Sequence, residues 1–366
     1  MASKPLPSFR ESTRSYETWL GSQISIIPAE LKLKHSLMRS AVFPFLRATY
    51  YRWAEVFPEV CKDLASAPET LAVGDLHVEN FGTWRDSEGR LIWGVNDFDE
   101  ASWLPYTNDL VRLVASALIA IDADHMRLDR KEAASAVLEG FEKALESGGR
   151  PFVLAEGHPA LLEMARHRLK DPGVYWEKLT ALRPIQGKIP KGARKAIIQM
   201  LPHPDVPHVI VHRVAGLGSL GRQRFVGIGE WHGGKIAREA KALAPSACAW
   251  AHAGKPQKRI LYQRILDESV RCPDPWVRLQ GNWIVRRLAP DCSRIELSAL
   301  PKERDEIKLL MAMGYETANV HLGATKRRDL VNDLRKRPAG WLYNAARQMV
   351  DAVTADWQQW RQPPRR

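Results

Sequence analysis

Apolar residues recur at helical spacing at both ends of this chain and fall into short strand-like runs in a middle block. Residues 1 to about 70 read as helical, with Leu31, Leu33, Leu37, Met38, Val42 and Phe45 giving an apolar face. Val73 and the run Leu91 to Val95 read as strands, separated by a turn at Asp86-Ser87-Glu88-Gly89. From Asp109, Leu110, Leu113, Val114, Ala117, Leu118 and Ile121 repeat at i, i+3, i+4, i+7 and predict a helix. Lys131 to Glu146 predicts another, stopped by Gly148-Gly149. Residues 150 to 205 are Pro-containing and predicted helical in part.

The texture changes near residue 206. Val209 to Val211, Arg224 to Ile228 and Lys235 to Ala240 predict antiparallel strands, the last two joined by a turn at Trp231-His232-Gly233-Gly234. Trp283 to Leu288 predicts a further strand, with Arg294 to Leu297 returning beside it. Helices resume from Lys302, and Leu342, Ala346, Met349, Val353, Trp357 and Trp360 form an apolar stripe expected to be core. The expected class is α+β: a largely helical region 1–205, an antiparallel-sheet region 206–300, and C-terminal helices 301–366 packing back on the first. No internal repeat is present.

Composition adds exclusions. Of the 366 residues 45% are hydrophobic and 26% charged, and no apolar run is long enough to cross a bilayer, so a membrane partner is not expected. Met1 to Arg14 is polar and lacks the apolar core of a secretory signal, which points to a cytoplasmic location. Cys61, Cys248, Cys272 and Cys292 show no Cys-x-x-Cys spacing, so neither zinc nor a disulfide framework is implied. The net charge of +12, from 54 Lys and Arg against 42 Asp and Glu, attracts polyanions and points to an acidic or phosphorylated partner. No RNA-binding signature accompanies it and the 13 Trp are dispersed, which argues against nucleic acid.

The chemistry concentrates in two places. Gly74-Asp75-Leu76-His77-Val78-Glu79-Asn80, followed by Asn96-Asp97-Phe98-Asp99, supplies the acids and the amide needed to hold Mg²⁺ on a nucleotide and to accept a hydroxyl proton. Ala215 to Gly221, reading Ala-Gly-Leu-Gly-Ser-Leu-Gly, would let backbone amides approach phosphate oxygens. A dinucleotide-binding loop should lead into a helix, whereas this one leads into Gln223-Arg224-Phe225-Val226, a strand, as a kinase loop does. Lys241, at the end of the next strand, is the expected phosphate-binding amine, with Arg238 as the rival cation.

These pieces resemble the kinase-like superfamily, in particular aminoglycoside phosphotransferases, whose catalytic loop His-Gly-Asp-Leu-His-Pro-Gly-Asn corresponds here to Val73 through Asn80. A closer resemblance is to the bacterial family DUF2252, on Gly74 to Gly82, Asn96 to Glu100, Asp109 to Leu113, Gly216 to Gly221 and Lys241 before Pro245-Ser246. The acidic motifs precede the glycine loop, the reverse of the kinase order, so the resemblance implies a circularly permuted, bilobal kinase-like fold. The helix Leu309 to Leu322 resembles the one that ordinarily precedes the catalytic loop.

The resemblance implies an ATP- and Mg²⁺-dependent phosphotransferase acting on an unknown hydroxyl acceptor, a small molecule or a protein, with another nucleoside triphosphate as a possible donor. Asp75 would be the base or orienting group. His77 would orient its loop. Asn80 and Asp97 would ligate the metal, and Asp99 would be a second ligand or a strand-end cap. Gly216, Gly218, Ser219 and Gly221 would cover the phosphates, Lys241 would pair with them, and Asp109 would buttress the catalytic loop. Glu268 is the positional candidate for a glutamate paired with Lys241. Val73 replaces the family histidine and Val78-Glu79 replaces Pro-Gly, which keeps a nucleotide-binding regulator without turnover in view. A metal-dependent phosphoesterase built on Asp75, His77, Asp97 and Asp99 is a third reading.

Overall fold

The helix Tyr106–Asp122 is the axis of the molecule, buried at every position from Tyr106 to Ala120. Its apolar positions meet the helices Arg130–Ser147, Glu306–Leu322 and Trp341–Arg361, and its polar ones face the acidic loop. The computed structural model describes residues 6–166, 170–252, 259–292 and 306–363. It is a mixed helix and strand protein with antiparallel sheets.

Two of the helices around this axis cross backbone to backbone. A methyl group placed on Gly140 would lie 1.9 Å from the Met311 carbonyl oxygen, and one on Gly314 would lie 1.9 Å from that of Val137. Only a residue without Cβ allows so close a crossing. The C-terminal stripe is core as expected: Leu342, Ala346, Met349, Val353 and Trp360 are buried, and Trp357 is half-buried.

Five short helices, from Phe9–Gln23 to Lys62–Ala65, build the N-terminal region. The first starts on a reciprocal cap between Ser8 and Glu11. The second, Pro28–Ser40, departs from its expected face. Its buried residues are Glu30, Lys34 and Met38, while Leu33 and Leu37 are exposed. This helix turns its charged side inward because that side meets the glycine loop.

Among the described residues ten strands form three sheets. β1 (Glu69–Ala72) pairs with β4 (Ser102–Pro105), and β2 (Phe81–Arg85) with β3 (Leu91–Val95), to which β5 (Phe152–Val153) adds. The turn at Asp86 to Gly89 therefore joins β2 to β3, and the strand before Asp75 ends at Ala72, short of Val73. The five-stranded sheet runs in the order β6 (His208–His212), β7 (Arg224–Trp231), β8 (Gly234–Ala242), β10 (Trp283–Arg287), β9 (Val277–Gln280). β7 and β8 are joined by His232 and Gly233, both at positive φ, the two-residue turn that suits a hairpin's twist. The outer neighbour of β10 is β9, which precedes it; the expected return at Arg294 to Leu297 lies outside the described residues.

Helices cover both faces of this sheet. Ile210, Phe225, Ala240 and Val285 pack on Ala193, Ala196 and Ile197 of the helix Lys191–Gln199. Val211, Val226, Ile228 and Ala237 pack on Leu179, with Tyr175 and Trp176 of the same helix, Pro172–Thr180. Strand alternation puts Glu239 and Lys241 on the second face with Ala237.

Candidate functional site

One face of the Tyr106–Asp122 helix holds the acidic loop at three points spaced i, i+3, i+7. The Asp109 carboxylate accepts hydrogen bonds from the amides of Val73 (2.7 Å) and Gly74 (3.0 Å). Arg112 donates through Nε (3.0 Å) and Nη2 to Asp75 Oδ1, and Ser116 Oγ accepts from the Val78 amide (3.0 Å). Asp109 also meets His321 Nε2 at 3.0 Å, which ties the end of the helix Glu306–Leu322 to the same loop.

Arg112 has no exposed surface. Its charge is offset by Asp75, by the Leu46 carbonyl (2.9 Å), and by the rings of Tyr50 and Trp53 at 5.0 and 4.9 Å.

Within the loop, Asn80 Nδ2 donates to the carbonyls of Asp75 (3.0 Å) and Asp97 (3.2 Å). Two carbonyls can only accept, so the amide orientation is fixed and Oδ1 is the end turned away from them. His77 is buried, accepts from the Glu79 amide at Nδ1 (3.2 Å) and meets the Phe43 ring edge-on. The second motif places Asp97 and Asp99 on either side of one amine. Lys241 Nζ lies 3.3 Å from Asp97 Oδ1 and 2.6 Å from Asp99 Oδ1, and Arg222 Nη1 lies 3.5 Å from Asp99 Oδ2. Burial moves both partners toward neutrality: the Asp99 carboxyl is pushed up, helped by the Asp97 charge, and the Lys241 ammonium is pushed down. The neighbouring opposite charges hold against that tendency.

Beside Lys241, Glu239 is fully buried among three guanidiniums: Arg224 (2.6 Å), Arg213 (2.6 Å) and Arg286 (3.0 Å). Burial alone would raise its pKa, and the three cations hold it well below the ordinary carboxylate range. Arg224 extends this network to the glycine loop by donating to Ser219 Oγ at 2.7 Å.

The glycine loop connects β6 to β7 and folds over the acids. Ser219 donates its amide to the Gly216 carbonyl (3.0 Å), and the Gly221 amide donates to Glu30 Oε2 (3.3 Å). The hydroxyl and amide of Ser219 are thus occupied within the protein, so an anion against this loop would first meet Gly216 to Gly218. A methyl group on Gly218 would lie 2.9 Å from the Arg47 carbonyl oxygen and 3.7 Å from Asp75 Oδ2. The loop and the acids therefore line one cleft, with Asp75, His77, Asn80, Asp97 and Asp99 on one side and Gly216 to Ser219 on the other. Lys241 reaches Asp97 and Asp99 from β8, behind the lining of the cleft.

The third wall comes from the N-terminal helices: Tyr16, Lys34, Arg47, Tyr50 and Tyr51. Lys34 Nζ donates to the Gly218 carbonyl at 3.2 Å, the Ile27 amide donates to the Gly221 carbonyl at 2.8 Å, and Glu30 pairs with His212. Burial and then the Arg222 charge lower the Lys34 ammonium to about 8. Arg47 pairs with Glu79. So enclosed, the cleft retains about 50 Å³ of free volume, room for only a few water molecules.

Residues 26–152 match the model of a family described as an uncharacterized protein conserved in bacteria, DUF2252. The chain is similar to DUF2252 over that segment. No curated protein and no solved structure matches the chain. The segment similar to DUF2252 carries Asp75, His77, Asn80, Asp97, Asp99, Asp109 and Arg112, while the glycine loop and Lys241 lie beyond it.

Sequence reasoning names the acids, the glycine loop and Lys241, and the structure gathers them. Arg238, the rival cation, turns to the other face, donating to the Met200 carbonyl (2.7 Å) and lying 4.7 Å over the Trp276 ring. The parity of a strand separates residues three apart in this way. Glu268 pairs with Arg264 on its own helix at 2.7 Å, and the carboxylates at Lys241 are Asp97 and Asp99. Ser116, Lys34, Arg47 and Arg222 carry no motif that announces them. Glu100 stands out only as the last acid of Asn96 to Glu100; it pairs with Arg222 at 3.0 Å and accepts the Ala247 amide at 2.6 Å.

Proposed function

We propose that this protein is a nucleoside-triphosphate-dependent phosphotransferase of kinase-like, circularly permuted architecture. The observation that carries the reading is the apposition of Gly218 and Asp75 across one cleft, although the two lie far apart in sequence. The glycine loop joins the first two strands of the five-stranded sheet and Lys241 sits on the third, the arrangement by which kinases cover and pair with phosphates. The contact of His321 with Asp109 supports the permuted order, because it brings a late helix to the loop that it would precede in an ordinary kinase.

Asn80 and Asp97 fit Mg²⁺, which takes oxygen donors from one or two carboxylates together with substrate phosphates. Bound there, the ion would neutralise charge on the phosphate oxygens. Asp75 would orient the acceptor hydroxyl and take its proton through Oδ2, since Oδ1 is held by Arg112. Lys241 would exchange part of its pairing with Asp97 and Asp99 for the α- and β-phosphates. ATP is the donor to test first.

A second reading has an observation of its own. The cleft is nearly filled by side chains, and its amine is already paired, as expected of a nucleotide-binding regulator that does not turn over. The phosphoesterase reading has less support: among the described residues no group of three or more His, Cys, Asp or Glu is disposed to hold a metal ion.

The test is thermal stabilisation by nucleotides with and without Mg²⁺ on the wild type, Asp97→Ala and Lys241→Ala. A ligand at about a hundred times its Kd adds roughly 2.7 kcal/mol to a native state that alone binds it. The phosphotransferase reading expects a Mg²⁺-dependent shift that both substitutions abolish, with turnover once an acceptor is supplied. A shift with no turnover favours the regulator. No shift with any nucleotide at millimolar concentration rejects both.

A further inference from the structure

A second cavity shares a wall with the acidic cleft. Its volume is about 570 Å³, within the range of small-molecule sites. Phe57, Trp103, Leu104, Ala54 and Ala251 make it predominantly apolar, and among the described residues no Lys or Arg lines it.

The shared wall is Tyr50, which borders both cavities. Its hydroxyl lies 3.2 Å from Cys248 Sγ and would stand 2.7 Å from a methyl group on Gly74. Asn108, also in the lining, reaches the Gly74 carbonyl at 3.5 Å, one residue before Asp75. Part of the lining is β4, which begins two residues after Glu100 closes the acidic motif. The chain segments that hold the acids thus continue directly into the lining of this pocket.

The two cavities divide the chemistry between them. The cleft is charged and nearly full, with its cations committed to neighbouring acids and carbonyls. The pocket is roomy and mostly apolar, with Glu69, Ser102, Asn108, Cys248 and His252 as its polar groups, so a polyol placed there would turn most of its hydroxyls against carbon, at a cost of about 1–3 kcal/mol for each left without a partner. An apolar body would instead gain from leaving water.

We infer that this pocket holds the apolar body of the phosphoryl acceptor, a small aromatic or alicyclic alcohol whose hydroxyl is presented past Tyr50 to Asp75. The inference rests on the phosphotransferase reading and names its acceptor class. In the step it implies, the alcohol oxygen attacks the γ-phosphorus of the nucleoside triphosphate and its proton passes to Asp75 Oδ2. The bond from the γ-phosphorus to the β,γ-bridging oxygen breaks, and the nucleoside diphosphate leaves with that electron pair. The product is a phosphate monoester whose new charge is disfavoured by the apolar lining, which promotes its release.

The test uses 2-naphthaleneethanol, with sorbitol as the polyol control, on the full chain with and without MgATP. Binding is read by calorimetry, stabilisation by melting temperature, and transfer by release of ADP with formation of the phosphate monoester. The aromatic alcohol is expected to bind the wild type and to drive ADP release, and sorbitol to do neither. Ala251→Trp, which fills the pocket, is expected to weaken alcohol binding by about tenfold or more while leaving the shift caused by MgATP in place. Ala54→Leu makes the same comparison if the larger side chain prevents folding. Failure of the alcohol to bind while MgATP still stabilises the protein overturns this inference and leaves the phosphotransferase reading standing. Alcohol binding unchanged in both filled variants also overturns it. Alcohol binding with neither stabilisation by MgATP nor its consumption removes the phosphotransferase reading, and the acceptor role with it.

Discussion

Arg112 holds Asp75 by a single oxygen: Nε and Nη2 both reach Oδ1, and Oδ2 is left toward Gly218. The guanidinium is wholly buried while the carboxylate is partly open to the cleft. Removing one member of a buried pair strands the other, at a typical cost of about 3–5 kcal/mol. Arg112→Ala is therefore expected to lower the denaturant midpoint by that order. Arg112→Lys should restore only part of the loss, because one ammonium cannot serve Asp75, the Leu46 carbonyl and two aromatic faces with the geometry of a planar guanidinium. Urea titrations of the three proteins measure this.

Asp109 accepts from the amides of Val73 and Gly74 and also from Asn108 Nδ2 at 3.2 Å. Whichever way its amide is turned, Asp109→Asn sets an NH₂ against the Val73 or the Gly74 amide, leaving at least one buried amide unpaired at about 1–3 kcal/mol. The loss should be local as well as global. Amide exchange across residues 73–80 is expected to rise by more than the change in overall stability accounts for.

The Glu316 carboxyl has a predictable pH signature. It is fully buried, accepting from the Val95 amide (3.2 Å) and Asn319 Nδ2 (2.9 Å). Burial pushes its pKa up to about 7, against the opposing influences of Arg271 and these hydrogen bonds. The folded protein thus holds a proton that the unfolded chain releases near its ordinary value of 4.5. Stability from this group is fully present below that value and is lost as pH rises through about 7, a change of roughly 3 kcal/mol by linkage. The difference in unfolding free energy between the wild type and Glu316→Gln, followed from pH 4 to 9, should carry that fall.

Lys34 ties the helix Pro28–Ser40 to the glycine loop through the Gly218 carbonyl. A hydrogen bond to a charged group contributes about 1.5–3 kcal/mol. Lys34→Met keeps the apolar stem and deletes the tie. Amide exchange within residues 216–221 is expected to quicken by about tenfold or more, with little change in the helix Tyr106–Asp122. Hydrogen-exchange mass spectrometry distinguishes the two segments.

Much of this arrangement is legible in the chain, for physical reasons. The helix from Asp109 shows a strong 3.6-residue period because its apolar residues through Ala120 are core, with Ile121 half-buried at its end. β7 and β8 alternate against two covering helices, and the turn between them has its Gly in the expected place. β2 is hidden because Phe81 to Trp84 are all buried and run straight on from the acidic loop, so neither alternation nor a turn marks their start. The inward face of Pro28–Ser40 is hidden for the opposite reason. Its Glu30 and Lys34 are satisfied by His212, Gly218 and Gly221, nearly two hundred residues away, and no local pattern records partners at that distance. Arg112 belongs to a legible motif, but its target Asp75 becomes evident only once the helix is docked.

That inward-facing charged helix changes what the beginning of the chain means. It is a roof. Shortening the protein to residue 41 would not trim an appendage; it would strip the glycine loop of Ile27, Glu30 and Lys34 and open the acids beneath to water.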